Sequence, residues 1–395
     1  MNTKLIFLMT VVFALCMFSC INEDEEHVRN GNYHKDDKEG LRMFLKKPST
    51  IPDKINAEVL GLDLEDVRDW YNTETWVEKV TGLTWNNESP RRIIEIDWSL
   101  PYVWQYEGPL VAFDASKWIE LKKLTIRAQS INALELSKNK KLQVLRCIQS
   151  QVNALDVKYN TALTHLEIWG LLSTLDVSSN TELEILICQG CPLSNLDVSK
   201  NTKLRELGCS GGQITTLDVS LLTELSVLGC RGCQLSELDL SRNKKLQRLQ
   251  CDNNKLTTII VNANLIQVHC WNNHLPLSCL LVFSDMLDEP NVKWLGPQFL
   301  KPRTVYIGEE VDFSDQSVLK GIATQFEVRT SGKLPEPKFE IPDGIGDHAP
   351  PSDYTLIDGK IRFNRTGTYW ICMSNEAVIS RFDFAAVVCA EIKVL

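Results

Sequence analysis

LSNLDVSKNTKLRELGC, residues 193–209, decides how the rest of the chain is read. Copies of it recur on both sides. Their second halves open at Leu121, Leu142, Leu163, Leu183, Leu204, Leu225, Leu246 and Leu265, in steps of 21, 21, 20, 21, 21, 21 and 19 residues. A fixed period of this length marks a repeat architecture. One such unit cannot bury its apolar face alone, whereas stacked units share a continuous core.

The copies share a grammar. Five of the eight open L-x-x-L-x-C: LQVLRC, LEILIC, LRELGC, LSVLGC and LQRLQC. Five places later stands an apolar residue: Val152, Leu193, Ile214, Leu235 or Leu256. An L-D-V-S variant follows at Leu155, Leu196, Leu217 and Leu238, and an asparagine closes the turn at Asn139, Asn160, Asn180, Asn201, Asn243 and Asn264. This pattern resembles the leucine-rich repeat, in the LxxLxC…LDVSxNTx form frequent in secreted Bacteroidetes proteins. The resemblance implies a curved solenoid in which each repeat gives one short parallel strand to a concave sheet, leucines inward.

Upstream, Ile93, Ile96 and Trp98 keep the spacing of Leu142, Leu145 and Cys147, and LVAFDAS at 110–116 matches LSNLDVS. The repeat domain is therefore expected over 93–275, with an atypical first turn. Strands about 4.8 Å apart make eight rungs roughly 35–40 Å long. That is the scale of a protein partner or a long glycan.

The flanks read differently. Lys4 precedes the apolar run LIFLMTVVFALCMF, too short for a confident membrane span and placed as a signal peptide is placed. It ends MFSC, which resembles a bacterial lipobox with Cys20 as the lipidated residue; a plain secretory signal is the alternative. Glu23, Asp24, Glu25 and Glu26 follow. They resemble the export signal of Bacteroidetes surface lipoproteins and also suit a solvated tether over 21–35. A helical N-terminal cap is expected over 36–92. DDKEGLRMFLKK sets Leu41, Phe44 and Leu45 on one stripe, and a second helix carries Val67, Trp70, Tyr71, Val77 and Val80.

After the repeats, LPLSCLLVFSDML reads as a helical cap, with a boundary at PNVKWLGPQ, so that 276–295 is cap and linker. From 296 to 395, short β runs such as TVYIGEEVDF, KIRF and AAVVCAEIKVL alternate with turn residues, as in an antiparallel sandwich. FNRTGTYWICMSN resembles the late strands of immunoglobulin-like modules, although Tyr369 stands three places before Cys372. The expected fold is thus a leucine-rich-repeat solenoid with a small helical N-terminal cap and a C-terminal immunoglobulin-like sandwich.

Chemistry is weighed against this frame. The 395 residues carry a net charge of -9, which argues against a nucleic-acid partner. CQGC at 188–191 and CRGC at 230–233 mimic metal or redox pairs, but the repeat register makes their cysteines core and turn positions. Cys372 and Cys389 are the best candidates for a disulfide; pairing is left open. Asp156, Asp176, Asp197, Asp218 and Asp239 form a carboxylate ladder, read as solvated or turn-capping; calcium is the weaker alternative, because one carboxylate per rung stands without a Gly-rich calcium repeat. No HExxH, G-x-S-x-G or P-loop occurs, so no catalytic residue, metal or cofactor is assigned.

What varies between repeats is the outward face of the strands. The candidate ligand-binding residues there are Arg127, Arg146, His165, Glu167, Trp169, Ile187, Gly208, Gly229, Arg231, Arg248, Asp252, His269 and Trp271. Exposed aromatics and arginines are common binding anchors, and Trp169 and Trp271 flank a floor lowered by the two glycines. The expected function is non-catalytic recognition of a protein partner at a bacterial outer-membrane surface, with membrane contact only through a lipid at Cys20. The architecture resembles internalin-type adhesins. The alternative is a glycan-binding accessory lipoprotein of a polysaccharide-uptake system, favoured by the paired tryptophans.

Overall fold

The structure is a computed structural model that describes residues 33–49, 51, 53–62, 75–99, 113–127, 131–261, 265–287, 293–330, 347–380 and 385–395. The signal segment, Cys20, the acidic run at 23–26, Val67, Trp70, Tyr71 and Asn264 lie outside these residues.

An eleven-stranded sheet forms the spine. From Ile93–Ser99 onward the rungs run parallel: Lys123–Arg127, Val144–Ile148, His165–Trp169, Ile185–Gln189, Glu206–Gly208, Val227–Gly229, Arg248–Gln250 and Gln267–His269. Equivalent residues pair in each step, so every repeat position becomes a column across the sheet. The inward columns are dry. Leu145, Leu166, Leu186, Leu207, Leu228 and Leu249 are fully buried. Beside them runs a column of Trp98, Ile126, Cys147, Ile168, Cys188, Cys209, Cys230, Cys251 and Cys270, none more than 2% exposed. The leucine-rich-repeat solenoid expected from the period is the fold.

Both ends of the sheet differ from expectation. The N-terminal cap contains helices Lys35–Leu45, Asn56–Val59 and Thr75–Lys79, but it closes on a strand, Leu83–Trp85, paired antiparallel with Ile93–Ser99. A solenoid's first rung has an open hydrogen-bonding edge, and this strand covers it. At the far end, the helix Leu277–Met286 forms as expected, yet Lys293–Trp294 then returns to pair with the last rung. The stretch read as linker supplies the eleventh strand.

Turns on the convex side are held by buried asparagines. Asn139, Asn160, Asn180, Asn201 and Asn243 each donate Nδ2–H to two carbonyls of the preceding turn at 2.8–3.0 Å. The aspartate ladder caps its turns. Asp156, Asp176, Asp197, Asp218 and Asp239 each accept the backbone N–H two residues on, at 2.8–3.0 Å.

The two Cys-x-x-Cys motifs fall into the same scheme. Asn254 and Asn273 donate to carbonyls of the rungs around them, and Cys191 and Cys233 replace them in earlier repeats with weaker S–H donors to Ile168 and Cys209. All eight solenoid thiols from Cys147 to Cys270 are buried and unpaired.

The C-terminal domain is all-β. One sheet orders Gln298–Val305, Ala385–Val394, Gly367–Ile379 and Gln325–Thr330; the other orders Glu310–Asp312, Lys360–Phe363 and Tyr354–Ile357. The first strand runs parallel to the last and all other pairs are antiparallel, an immunoglobulin-like connectivity. Tyr369 sits at the corner position despite its spacing: its hydroxyl lies 3.3 Å from Asp353 Oδ2 and 3.4 Å from the Arg365 carbonyl, with one proton to share between them. Cys372 and Cys389 face each other across paired strands as free thiols.

The sandwich is joined to the solenoid by polar contacts. Gln298 extends the asparagine column, accepting from Asn273 N–H at 3.0 Å and donating to the Cys270 carbonyl at 2.8 Å. Gln316 accepts from Leu277 N–H at 2.8 Å, at the start of the capping helix.

Candidate binding surface on the concave sheet

The outward residues form three columns, because alternate side chains of each strand leave the same face. One column reads Lys123, Val144, His165, Ile185, Glu206, Val227, Arg248 and Gln267. The next reads Thr125, Arg146, Glu167, Ile187, Gly208, Gly229, Gln250, His269 and Trp294. Arg127, Ile148, Trp169, Gln189, Ser210, Arg231, Asp252 and Trp271 occupy the third strand position.

Toward the N-terminal end, four candidates meet in one network. Glu167 lies at its centre, only 8% exposed. Arg146 Nε stands 3.2 Å from its Oε2, His165 Nε2 3.8 Å from the same oxygen, and Trp169 Nε1–H donates to Oε1 at 3.1 Å. The His165 ring and the Arg146 guanidinium hold the Glu167 carboxyl below the usual carboxylate range, against the burial that would raise it. Glu167 is therefore the buried anchor of this network. Its consequence is Trp169, whose indole is pinned by the N–H yet 37% exposed, presenting a fixed aromatic surface.

In the middle the surface drops. Gly208 and Gly229 are paired neighbours on adjacent rungs, with Ile187 on one side and Gln250 on the other. Farther on, Arg231 Nε contacts Asp252 Oδ2 at 2.9 Å, and Asn253 Nδ2–H donates to the same oxygen at 2.7 Å. Asp252 is fully buried. Expected as a ligand contact, it is a strut under Arg231: a short side chain with an arginine one rung away turns down and pairs instead of reaching outward. Arg248 is exposed and its guanidinium has no side-chain partner among the described residues. Arg127 is exposed, and Ile187 and Trp271 are half-buried.

His269 does not stand alone. Its ring stacks on Trp294 with centroids 4.8 Å apart and planes 21° from parallel. Trp294 escaped the sequence reading because it lies outside the repeat period, beyond the capping helix. The alternation in VKWL was its available signal.

A separate cleft of about 660 Å³ opens between solenoid and sandwich. His274, Lys301, Arg303, Asp312, Phe313 and Asp315 line it, so acids and bases are interleaved there.

The concave sheet, the dry leucine columns and the asparagine-held turns define the class of fold, a leucine-rich-repeat solenoid. Among solved structures, the chain is similar to the functional domain of InlJ from Listeria monocytogenes, described as including a cysteine ladder. The TM-score is 0.52 and the identity 22%, over 73% of this chain and 65% of that one. An LRR protein of Leptospira interrogans follows at TM-score 0.37 and 14% identity, covering 47% of this chain and 63% of that one. The internalin InlF of Listeria monocytogenes gives TM-score 0.36 and 16% identity, covering 47% and 63%. This chain thus spans slightly under two thirds of each of the three. No family model matches the chain. No curated protein sequence matches it either.

Proposed function

We propose that this protein is a non-catalytic recognition module that binds a protein partner through the concave sheet, held at a bacterial cell surface by a lipid on Cys20. One observation carries the reading. A pinned, exposed Trp169 and an unpaired, exposed Arg248 stand on either side of a floor lowered by Gly208 and Gly229. Aromatics and arginines fixed on a rigid scaffold bind at low entropic cost. The face is also mixed in charge and polarity along many rungs, which suits a polypeptide surface.

The glycan reading rests on the same Trp169, since a pinned indole with one free face can stack on a sugar ring. Two measurements separate them. Full-length protein is placed on a glycan array, and cross-linked partners are captured from intact cells. The protein reading requires capture that falls with Trp169→Ala. Saturable sugar binding that Trp169→Ala abolishes, with no protein capture, refutes it. The anchor is tested by labelling with a clickable fatty acid: the label is lost in Cys20→Ser, and surface display makes the protein sensitive to protease added to intact cells.

A further inference from the structure

The two glycines at the centre of the concave sheet make a hollow with a definite chemistry. Gly208 and Gly229 pair directly, so two adjacent rungs lack a side chain in the same column. Neither has the positive φ that would explain a glycine by backbone strain. Nor does packing demand one. A Cβ built on Gly229 would come no nearer than 3.7 Å to Ser210 Oγ, and one on Gly208 would meet Ile187 Cγ2 at 3.4 Å. Both places have room for a Cβ, and the open volume is what remains to be explained.

The walls are part apolar, from Ile187 and Val227, and part polar, from Gln250 and Ser210, and the rim is charged. Ile187 closes one end and Val227 lies in the neighbouring column. Val227 sits between Glu206 and Arg248, pairing with each in successive rungs. Elsewhere on this face charges are mostly neutralised: Arg146 with Glu167, Arg231 with Asp252, and Lys123 with Glu95. The Glu206 carboxylate and the Arg248 guanidinium are the exceptions, with no side-chain partner among the described residues. An acid and a base are thus left free two rungs apart, with the hollow beside the line joining them.

We propose that this hollow takes one apolar side chain of an extended polypeptide segment of the partner, which sets a basic group over Glu206 and an acidic group over Arg248. The inference rests on the protein-recognition reading and names its specificity pocket. Two rungs span about 9–10 Å; a segment in the extended polyproline-II conformation rises about 3.1 Å per residue with three residues per turn, so residues three apart cover the distance on one side of the chain. The recognised segment therefore carries a base and an acid about three positions apart, with an aromatic or branched aliphatic residue between them. The missing side chains supply the hole, and the free charges fix direction along the sheet.

A phage-displayed random 12-residue peptide library, selected on the full-length protein, is the test. Enrichment of the base–apolar–acid pattern is expected. Binding of an enriched synthetic peptide should weaken about tenfold or more with Gly229→Leu, which fills the hollow. Circular dichroism and the melting temperature check that the variant is folded, and Gly208→Ala provides a smaller filling with a smaller loss. Selection on Arg248→Glu should replace the acid in the pattern by a base. Peptides whose binding is unchanged by Gly229→Leu and Arg248→Glu overturn the pocket. If those same peptides are lost with Trp169→Ala, the pocket falls while protein recognition stands. Sugar binding with no peptide enriched overturns both.

Discussion

Removing Asp37 should loosen the N-terminal cap, and removing its partner as well should restore much of the loss. Asp37 is fully buried in the first helix, Lys35–Leu45, and holds Arg92 bidentately at 2.7–3.1 Å. It also accepts Ile93 N–H at 2.7 Å, where the first rung begins. Burial pushes its carboxyl up, only partly countered by Arg92 and the Ile93 amide. The pair therefore fixes geometry more than it stabilises the fold. Asp37→Ala leaves a guanidinium side chain, 11% exposed, without its anion, and an orphaned amide. Breaking a buried pair in this way costs about 3–5 kcal/mol, whereas apolar replacement of both partners is often nearly neutral. At about 1.4 kcal/mol per factor of ten, amide exchange in Lys35–Leu45 should quicken by roughly two to four orders of magnitude in Asp37→Ala. Asp37→Leu combined with Arg92→Met should exchange much closer to the parent. Hydrogen exchange read by mass spectrometry reports both. The reasoning fails if the single variant exchanges as the parent does, or if the double variant is as open as the single.

Three further outcomes follow from the same framework. Leu207→Ala, in the fully buried inward column, should lower unfolding stability by about 2–5 kcal/mol in a denaturant titration, since neighbouring rungs restrain collapse onto the cavity. Glu167 has a depressed carboxyl, so its contribution is present above the ordinary glutamate value near 4.3 and fades as pH falls through the lower folded value; Glu167→Gln should destabilise at pH 7, and the difference from the parent should shrink as an acid titration passes through that lower value. Burial pushes the Cys147 thiol up to about 12 and raises Cys188, Cys230, Cys251 and Cys270 as well, so a thiol reagent at pH 8 should label these positions only after denaturation, as peptide mapping would show.

Much of this molecule was legible in one dimension. A period of about 21 residues with leucines at fixed offsets can satisfy its apolar face only by stacking, so the solenoid and the inward cysteine column both followed from register. The outward positions were legible too, because strand alternation needs no tertiary information. Their roles were not. Whether an outward charge is free depends on a residue one rung away, about 21 positions distant, and on which way both side chains turn. Asp252 and Arg248 look alike in the repeat, yet Asp252 is sealed under Arg231 while Arg248 stands open.

The ends were decided only in three dimensions. A terminal rung exposes an unpaired edge, and whatever covers it comes from outside the repeat. Here Leu83–Trp85 does so at one end, and Lys293–Trp294 and Gln298 at the other. Repetition in the sequence therefore determined the scaffold, since each repeat carries the information for its own neighbours. The candidate site was decided by the folded structure, since it is made of residues that break the repeat and meet only across rungs.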